Sequence, residues 1–295
     1  PYRFPALFAC AIDMSAQPSH SPYFDRLVES LQREDPKVQM AFGRHVHWGY
    51  WRQPAEAACS AADYRAAAER LCLEVLQTAE VQDGQSVVDV GCGFGGTLAC
   101  INERFSDVEL TGVNIDARQL LRAAQSVGAQ RGNAVRWIEA DAAQLPLPNG
   151  AFDVLLAVEC AFHFDRQRFL SEASRVLRRG GNLTISDFVP DERAAEFLGS
   201  IDLSSDAAVR KTYGVIDLNW PVSRYQQQAA QQQLRLAASC DVTAHTLPTY
   251  EFLQQCVAEW EDSQAAEEFC KATRLLERAS RRGLIQYRIL RFDKS

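Results

Sequence analysis

The stretch Asp89-Val90-Gly91-Cys92-Gly93-Phe94-Gly95-Gly96 holds the residue types best suited to chemistry in this 295-residue chain. Glycines lack a Cβ and let the backbone come close to a ligand, and a carboxylate just ahead of them can hold a cationic amino group directly or through water. Two other readings share the pattern. The spacing Gly91-x-Gly93-x-x-Gly96 also fits a dinucleotide fingerprint, as in a nicotinamide-dependent oxidoreductase, and a glycine cluster can be a plain turn. An acid two residues before the first glycine opposes a pyrophosphate and suits a positively charged amino acid end.

Further along, Glu159-Cys160-Ala161-Phe162-His163 brings a carboxylate, a thiol and an imidazole together, and Asp187 lies in Ile185-Ser186-Asp187-Phe188. An imidazole with an ordinary pKa near 6.5 can accept a hydroxyl proton, and a neighbouring carboxylate would hold its tautomer and stabilise the imidazolium. The plainer alternatives are a packed histidine at His163, a strand-end charge at Glu159 and a buried thiol at Cys160. Asp141 and Asp116 each suit either a ligand contact or a cap on a turn or helix. In His47-Trp48-Gly49-Tyr50-Trp51 the ring faces either attract a cation, at about 0.5–2 kcal/mol each, or brace the first helix.

These groups need elements to position them. Helical spacing over 60–78, with Ser60 or Asp63 as the cap, predicts a helix leading into a β-branched strand at 86–90, then the glycine turn, then a helix to residue 104. Strands follow at 108–115, 135–139, 152–158 and 183–188, with helices at 117–128 and 166–177. This βαβα order forces parallel strands with helices on both faces. A helix at 223–239, a strand at 241–247, helices at 250–263 and 265–281 and a strand at 284–292 complete the expectation. The fold class is therefore α/β, a Rossmann-like, seven-stranded, mostly parallel sheet. Residues 1–14 are expected to be an upstream or disordered segment, 15–80 an N-terminal helical segment and 81–189 the core. A helical cap over the acceptor site is expected at 190–222, and the rest of the core with lid helices at 223–295. The Gln-rich stretch 226–233 reads as a solvated helix face.

The glycine loop, the run Glu139-Ala140-Asp141-Ala142 with Leu145-Pro146-Leu147-Pro148, and Arg175-Val176-Leu177-Arg178-Arg179-Gly180-Gly181 together resemble the successive motifs of class I methyltransferases. Within that superfamily the chain resembles the small-molecule group that includes rebeccamycin sugar O-methyltransferase and the tocopherol and sarcosine-type enzymes. The resemblance implies S-adenosylmethionine as cofactor and a small organic acceptor, most simply a hydroxyl on a secondary metabolite or lipid. It places Asp89, Gly91 and Gly93 on the methionine part, Asn114 and Gln119 at the ribose, and Asp141 with Ala142 at the adenine, with Cys92 and Ile115 as further cofactor-binding residues. Tyr50 would close the pocket, and Glu159 would reach the cofactor amino group or the acceptor. His163 would be the general base, with Asp187 supporting it. Methylation at nitrogen or carbon, including a prenyl diphosphate alkene, and a cofactor-binding module without turnover are the alternatives.

Charged residues make up 23% and hydrophobic ones 47%, enough for a core, and a net charge of −7 offers no basic footprint for nucleic acid. No apolar run reaches bilayer length. Nine cysteines without a Cys-x-x-Cys spacing argue against a disulfide framework or a metal site and for a cytoplasmic setting. Monomer and homodimer both remain open.

Overall fold

Ser86–Val90 (β1) sends Val87 into one apolar layer and Val88 and Val90 into another, as the two-residue side-chain period of a strand requires. In the computed structural model this strand lies third in a seven-stranded sheet of order β3-β2-β1-β4-β5-β7-β6, beside the central β4. The other strands are β2 (Glu109–Asn114), β3 (Ala134–Glu139), β4 (Phe152–Val158), β5 (Leu177–Pro190), β6 (Leu234–Asp241) and β7 (Ile285–Lys294). β1 to β5 pair in parallel, and β7 runs antiparallel between β5 and β6. The structure describes residues 36–194, 219–257 and 263–295, with the single positions Leu27, Leu31, Thr212, Tyr213 and Asp217. The expected segment 1–14 and most of the expected cap at 190–222 lie outside the described residues.

Helices cover both faces. Those bounded by described residues are, in chain order, α1 (Pro36–Phe42), α2 (Ala61–Thr78), α3 (Gly96–Arg104), α4 (Ala117–Ser126), α5 (Arg166–Val176), α6 (Val222–Gln231), α7 (Thr243–Thr246), α8 (Pro248–Val257) and α9 (Ser263–Arg281). One layer joins Leu71, Val75, Leu98 and Ile101 of α2 and α3 to Val154 and Leu156 of β4; the other joins Phe169, Leu170, Tyr225 and Ala229 of α5 and α6 to Leu155 and Leu183. Each of the buried Val, Leu, Ile and Phe side chains contributes about 1.5–3 kcal/mol. Ser60 caps α2 by accepting from Asp63 N at 3.2 Å, while Asp63 Oδ2 accepts from Trp51 Nε1 at 2.9 Å. The cap thereby ties the aromatic segment to the helix.

The largest differences from expectation fall in the C-terminal part of the chain and at β5. The helix expected at 223–239 stops at Gln231, and 234–241 is strand β6, so the strand expected at 241–247 is replaced by helix α7. The run Leu234-Arg235-Leu236-Ala237-Ala238 has good helix formers, yet the ladder Leu234↔Lys294 to Asp241↔Arg288 overrides that local preference. A left-handed Gln233, at φ 61°, makes the turn between them. The Gln side of α6 is exposed, as read from the sequence. β5 also extends beyond 183–188, to Leu177 and Pro190, because β4 and β7 pair with its two ends.

Candidate active site

The strand order reverses between β1 and β4, and ligands of open α/β sheets sit in the crevice outside the carboxyl ends at such a point. Asp89 is at the end of β1, on the face of Val87, and is 1% exposed. Its Oδ1 is buried with no hydrogen-bond partner among the described residues, and burial pushes its carboxyl up to about 7. An orphaned carboxylate oxygen in this position calls for a cation, because an unsatisfied buried charge is costly.

The glycine loop turns over this acid. Gly91 N and Cys92 N both donate to Val113 O, at 2.8 and 3.0 Å, and Gly91, Gly93 and Gly95 have φ of 78°, 54° and 77°. The reason for glycine differs along the loop. A Cβ on Gly91 would lie 2.6 Å from Cys160 Sγ, one on Gly95 2.6 Å from the Trp137 ring, and one on Gly96 2.3 Å from Arg44 O. Protein packing, not ligand space, excludes side chains there. Only at Gly93 are the nearest atoms in ordinary reach, Val46 Cγ2 at 3.4 Å and Gln119 Oε1 at 3.8 Å.

At the end of β2, Asn114 Nδ2 donates to Gln119 Oε1 at 2.9 Å and Asn114 Oδ1 accepts from Ile115 N at 2.9 Å. This pair stands beside Gly93, where a ribose would lie. Ile115 is 55% exposed, an unusual position for a large apolar residue. Asp116 caps α4 through Arg118 N and pairs with the Arg118 guanidinium, so it acts as a cap. After β3, Asp141 is exposed with Oδ1 accepting from Ala143 N at 2.8 Å, and Ala142 is buried. Gly93, Gln119 and Asn114 thus stand together at the strand ends, and the orphaned acid of β1 and the open glycine are of the types that suit the amino acid end of S-adenosylmethionine.

Glu159 leaves β4 with a left-handed φ of 53°. Its Oε2 accepts from Trp48 N at 2.8 Å and from the Tyr287 hydroxyl at 2.7 Å, and Oε1 has no protein partner among the described residues. Burial pushes its carboxyl up to about 8. Trp48, Phe188, Tyr250 and Tyr287 pack edge-on and stacked beneath it. Cys160 donates to Val90 O at 3.1 Å, and burial pushes its thiol well up, the behaviour of a packing residue.

The expected His163–Asp187 pair does not form. Asp187 lies within β5, not at its end, and shares the face of Ile185 and Val189, whereas Phe162 and Phe188 belong to the opposite layer. Alternation along the strand therefore turns Asp187 toward α5 and α6. There it accepts from Arg166 Nη2 at 3.2 Å, from the Tyr225 hydroxyl and from Phe188 N at 2.8 Å, fully buried. His163 is exposed at the end of the short turn Ala161–His163, its ring 4.2 Å from that of Phe162. Tyr50 stacks on His245 at 4.5 Å, and it is Trp48 that reaches Glu159. Sequence reasoning missed Arg166, Tyr225 and Tyr287 because none sits in a motif. It also passed over the Trp48 N–H, because a backbone donor leaves no trace in residue type.

A sheet with an acid and an open glycine loop at its switch point defines an α/β protein built to hold a nucleoside-type cofactor. The chain matches the family described as a methyltransferase domain over residues 88–185. It is 38% identical over 149 residues to an O-methyltransferase of Pyrenophora dematioidea, covering 50% of this chain and 54% of that one. It is 30% identical over 234 residues to methyltransferase GfsG of Streptomyces halstedii, covering 77% of this chain and 76% of that one. The chain thus spans about half the length of the first relative and about three quarters of the second. It belongs to the class I S-adenosylmethionine-dependent methyltransferases. Among solved structures, a geranyl diphosphate C-methyltransferase from Streptomyces coelicolor A3(2), in complex with Mg2+, geranyl diphosphate and S-adenosyl-L-homocysteine, has the same fold. The TM-score is 0.67 over 95% of this chain and 100% of that one, at 21% identity.

Among the described residues no helix is long and apolar enough to cross a membrane, and no group of three or more His, Cys, Asp or Glu could hold a metal ion.

Proposed function

We propose that this methyltransferase acts on a hydroxyl of a small, largely apolar acceptor, a secondary metabolite or lipid, with Glu159 as the general base. The observation that carries the reading is Glu159 itself, a carboxylate at the crevice with one oxygen engaged by Trp48 N and Tyr287 and the other without a protein partner. Its ionisation near 8 suits the transfer of a hydroxyl proton, since a catalytic base works best close to the working pH. When bound, S-adenosylmethionine supplies an electrophilic methyl group and leaves as S-adenosylhomocysteine, the sulfur keeping the electron pair of the broken bond. Asp89 holds the cofactor ammonium, Asn114 and Gln119 face the ribose, and Ile115, Asp141 and Ala142 face the adenine. Gly91, Cys92 and Gly93 shape the loop beneath the amino acid end, and Tyr50 braces the segment above it. Glu159 Oε1 receives the acceptor proton while Trp48 N and Tyr287 hold the carboxylate in place.

His163 is the rival base, on the strength of its exposed position four residues beyond Glu159. In this fold it acts without Asp187, which Arg166 and Tyr225 occupy. A second chemistry, methylation of an alkene carbon, draws support from the aromatic faces of Trp48, Phe188 and Tyr287 around Glu159, since such faces favour a developing cation.

Two measurements test the assignment. Transfer of a labelled methyl from the cofactor into a pool of small metabolites, followed by mass spectrometry of the product, tells oxygen from carbon or nitrogen. For an oxygen acceptor, kcat should rise with pH toward about 8 and level off, because Glu159 must be ionised. Glu159→Gln should lower kcat by about 10²–10⁴-fold and remove that rise, whereas His163→Ala should preserve it. The opposite pattern, a flat effect at Glu159 and a lost profile at His163, transfers the role to the imidazole.

A further inference from the structure

Behind the glycine loop runs a buried chain that the proposed chemistry does not use. Glu69 Oε2 is 2.8 Å from His45 Nε2, His45 Nδ1 is 3.0 Å from His47 Nε2, and His47 Nδ1 is 2.9 Å from Trp48 O. Both imidazoles are buried. The chain lies against the cofactor crevice: a Cβ on Gly96 would sit 2.6 Å from His45 Nδ1, and Val46 stands over Gly93. The far end is equally well placed, because Trp48 accepts from His47 through its carbonyl and donates to Glu159 through its N–H. Tyr64 OH and Thr249 Oγ1 hold the same segment, at His47 O and Gly49 N.

Proton counting gives this geometry its meaning. A carbonyl oxygen only accepts, so His47 Nδ1 carries a hydrogen, and an ionised carboxylate only accepts, so His45 Nε2 carries one too. The link between the rings needs a third. Two neutral imidazoles supply two hydrogens between them, so the three hydrogen bonds require one more proton than neutral histidines and an ionised Glu69 possess. Without it, two acceptors face each other at one link. The groups around the chain pull in both directions. Burial works against a charge on His45, as do Arg44 beside it and Arg104 on α3, and the Glu69 carboxylate on α2 works for it; the net displacement of His45 is downward. Glu69 is itself held down to about 2, chiefly by its bond to His45, and Glu103 on α3 faces the chain through Arg44 and Arg104, both of which also pair with Glu69. Burial also lowers His47, to about 3, so the extra proton, shared between the two rings across their link, is one that acid supplies.

We propose that Glu69, His45 and His47 are positioning residues that pin residues 44–51 across the glycine loop and so set Glu159, and that the pin is complete only while the chain carries this extra proton. The inference rests on the crevice being the cofactor site. One substitution separates the proton from the bonds: Glu69→Gln supplies an N–H to His45 Nε2, so all three links form with both rings neutral. Ring 15N–1H spectra of histidine-labelled protein count the hydrogens directly. At low pH the wild type should show three N–H groups on the four ring nitrogens of His45 and His47, falling to two as the pH rises. E69Q should show two throughout, with His47 in the Nδ1–H form.

Titration with S-adenosylhomocysteine reads the consequence. Relative to E69Q, the wild type should lose about threefold to tenfold in affinity as the pH passes through that transition, the worth of one hydrogen bond. Asp89 titrates alike in both proteins and cancels in the comparison. Glu103→Gln, which removes a surface partner shared by Arg44 and Arg104 and touches neither imidazole, should keep the wild-type pH dependence. A His47 ring carrying its hydrogen on Nε2 alone overturns the proposal, as does an E69Q protein whose binding keeps the wild-type pH dependence. A wild type that binds no S-adenosylhomocysteine at any pH overturns the cofactor reading instead, and the ring count then decides the chain on its own.

Discussion

Asp89→Asn should make the ligand-free chain more stable and its cofactor site weaker. In the folded chain burial raises the Asp89 carboxyl from 3.8 to about 7. The folded state therefore holds this proton to higher pH than the unfolded state does, and stability falls as the pH climbs from 3.8 to about 7, then stays at the lower level. At about 1.36 kcal/mol per pH unit the interval amounts to about 4 kcal/mol. The asparagine amide escapes that cost but leaves its own polar atoms without protein partners, at about 1–3 kcal/mol. The net expectation is a gain of about 1–3 kcal/mol at and above neutrality, vanishing or reversing below 3.8. Urea denaturation at one alkaline and one acidic pH measures both. Binding should move the other way: loss of a charge-assisted hydrogen bond to the cofactor ammonium weakens S-adenosylhomocysteine by about tenfold to a hundredfold. Calorimetry in buffers of different ionisation enthalpy should show that, below about pH 7, wild-type binding releases a proton which the variant does not release. A variant less stable than the wild type at both pH values, or one that binds the ligand unchanged, refutes the assignment of Asp89 as a charge waiting for a cation.

Two further outcomes follow from the packing. Gly91→Ala meets Cys160 Sγ at 2.6 Å with φ at 78° and should destabilise the fold by more than about 2 kcal/mol; Gly93→Ala, with room around its Cβ, should cost the fold about 1–2 kcal/mol and reduce S-adenosylhomocysteine affinity more than tenfold. Arg166→Met leaves Asp187 buried and charged and should cost about 3–5 kcal/mol by chemical denaturation, and adding Asp187→Leu should recover part of that loss. Failure of the second substitution to recover anything would show that the pair is not the unit of stability.

The local half of the site was legible before any fold was known. Asp89 to Gly96 lies between a β-branched strand and a helix, and its loop needs only neighbours in sequence, so β1, the turn and α3 came out where the residue pattern placed them. β4 fell exactly on 152–158 for the same reason, a run of apolar residues with little else to become. The failures have a different origin. Helix-forming residues at 234–238 became an edge strand because β7, some fifty residues on, offered its hydrogen bonds. The glycines are legible only in type: the side chains that exclude a Cβ, Cys160 and Trp137, arrive from the turn after β4 and from β3.

The glycine turn and the strand and helix that flank it are properties of the sequence itself, because each depends on residues a few positions apart and on the period of side chains along a strand. The partners of the charged groups are not. Tyr287 and Trp48 meet Glu159 across separations of 128 and 111 residues, and Arg166 and Tyr225 take Asp187 because the long β5 ladder turns it to the other face. Residue types state which groups can bond. Which of them meet is decided by the register and facing of strands, and those are set by contacts between distant parts of the chain.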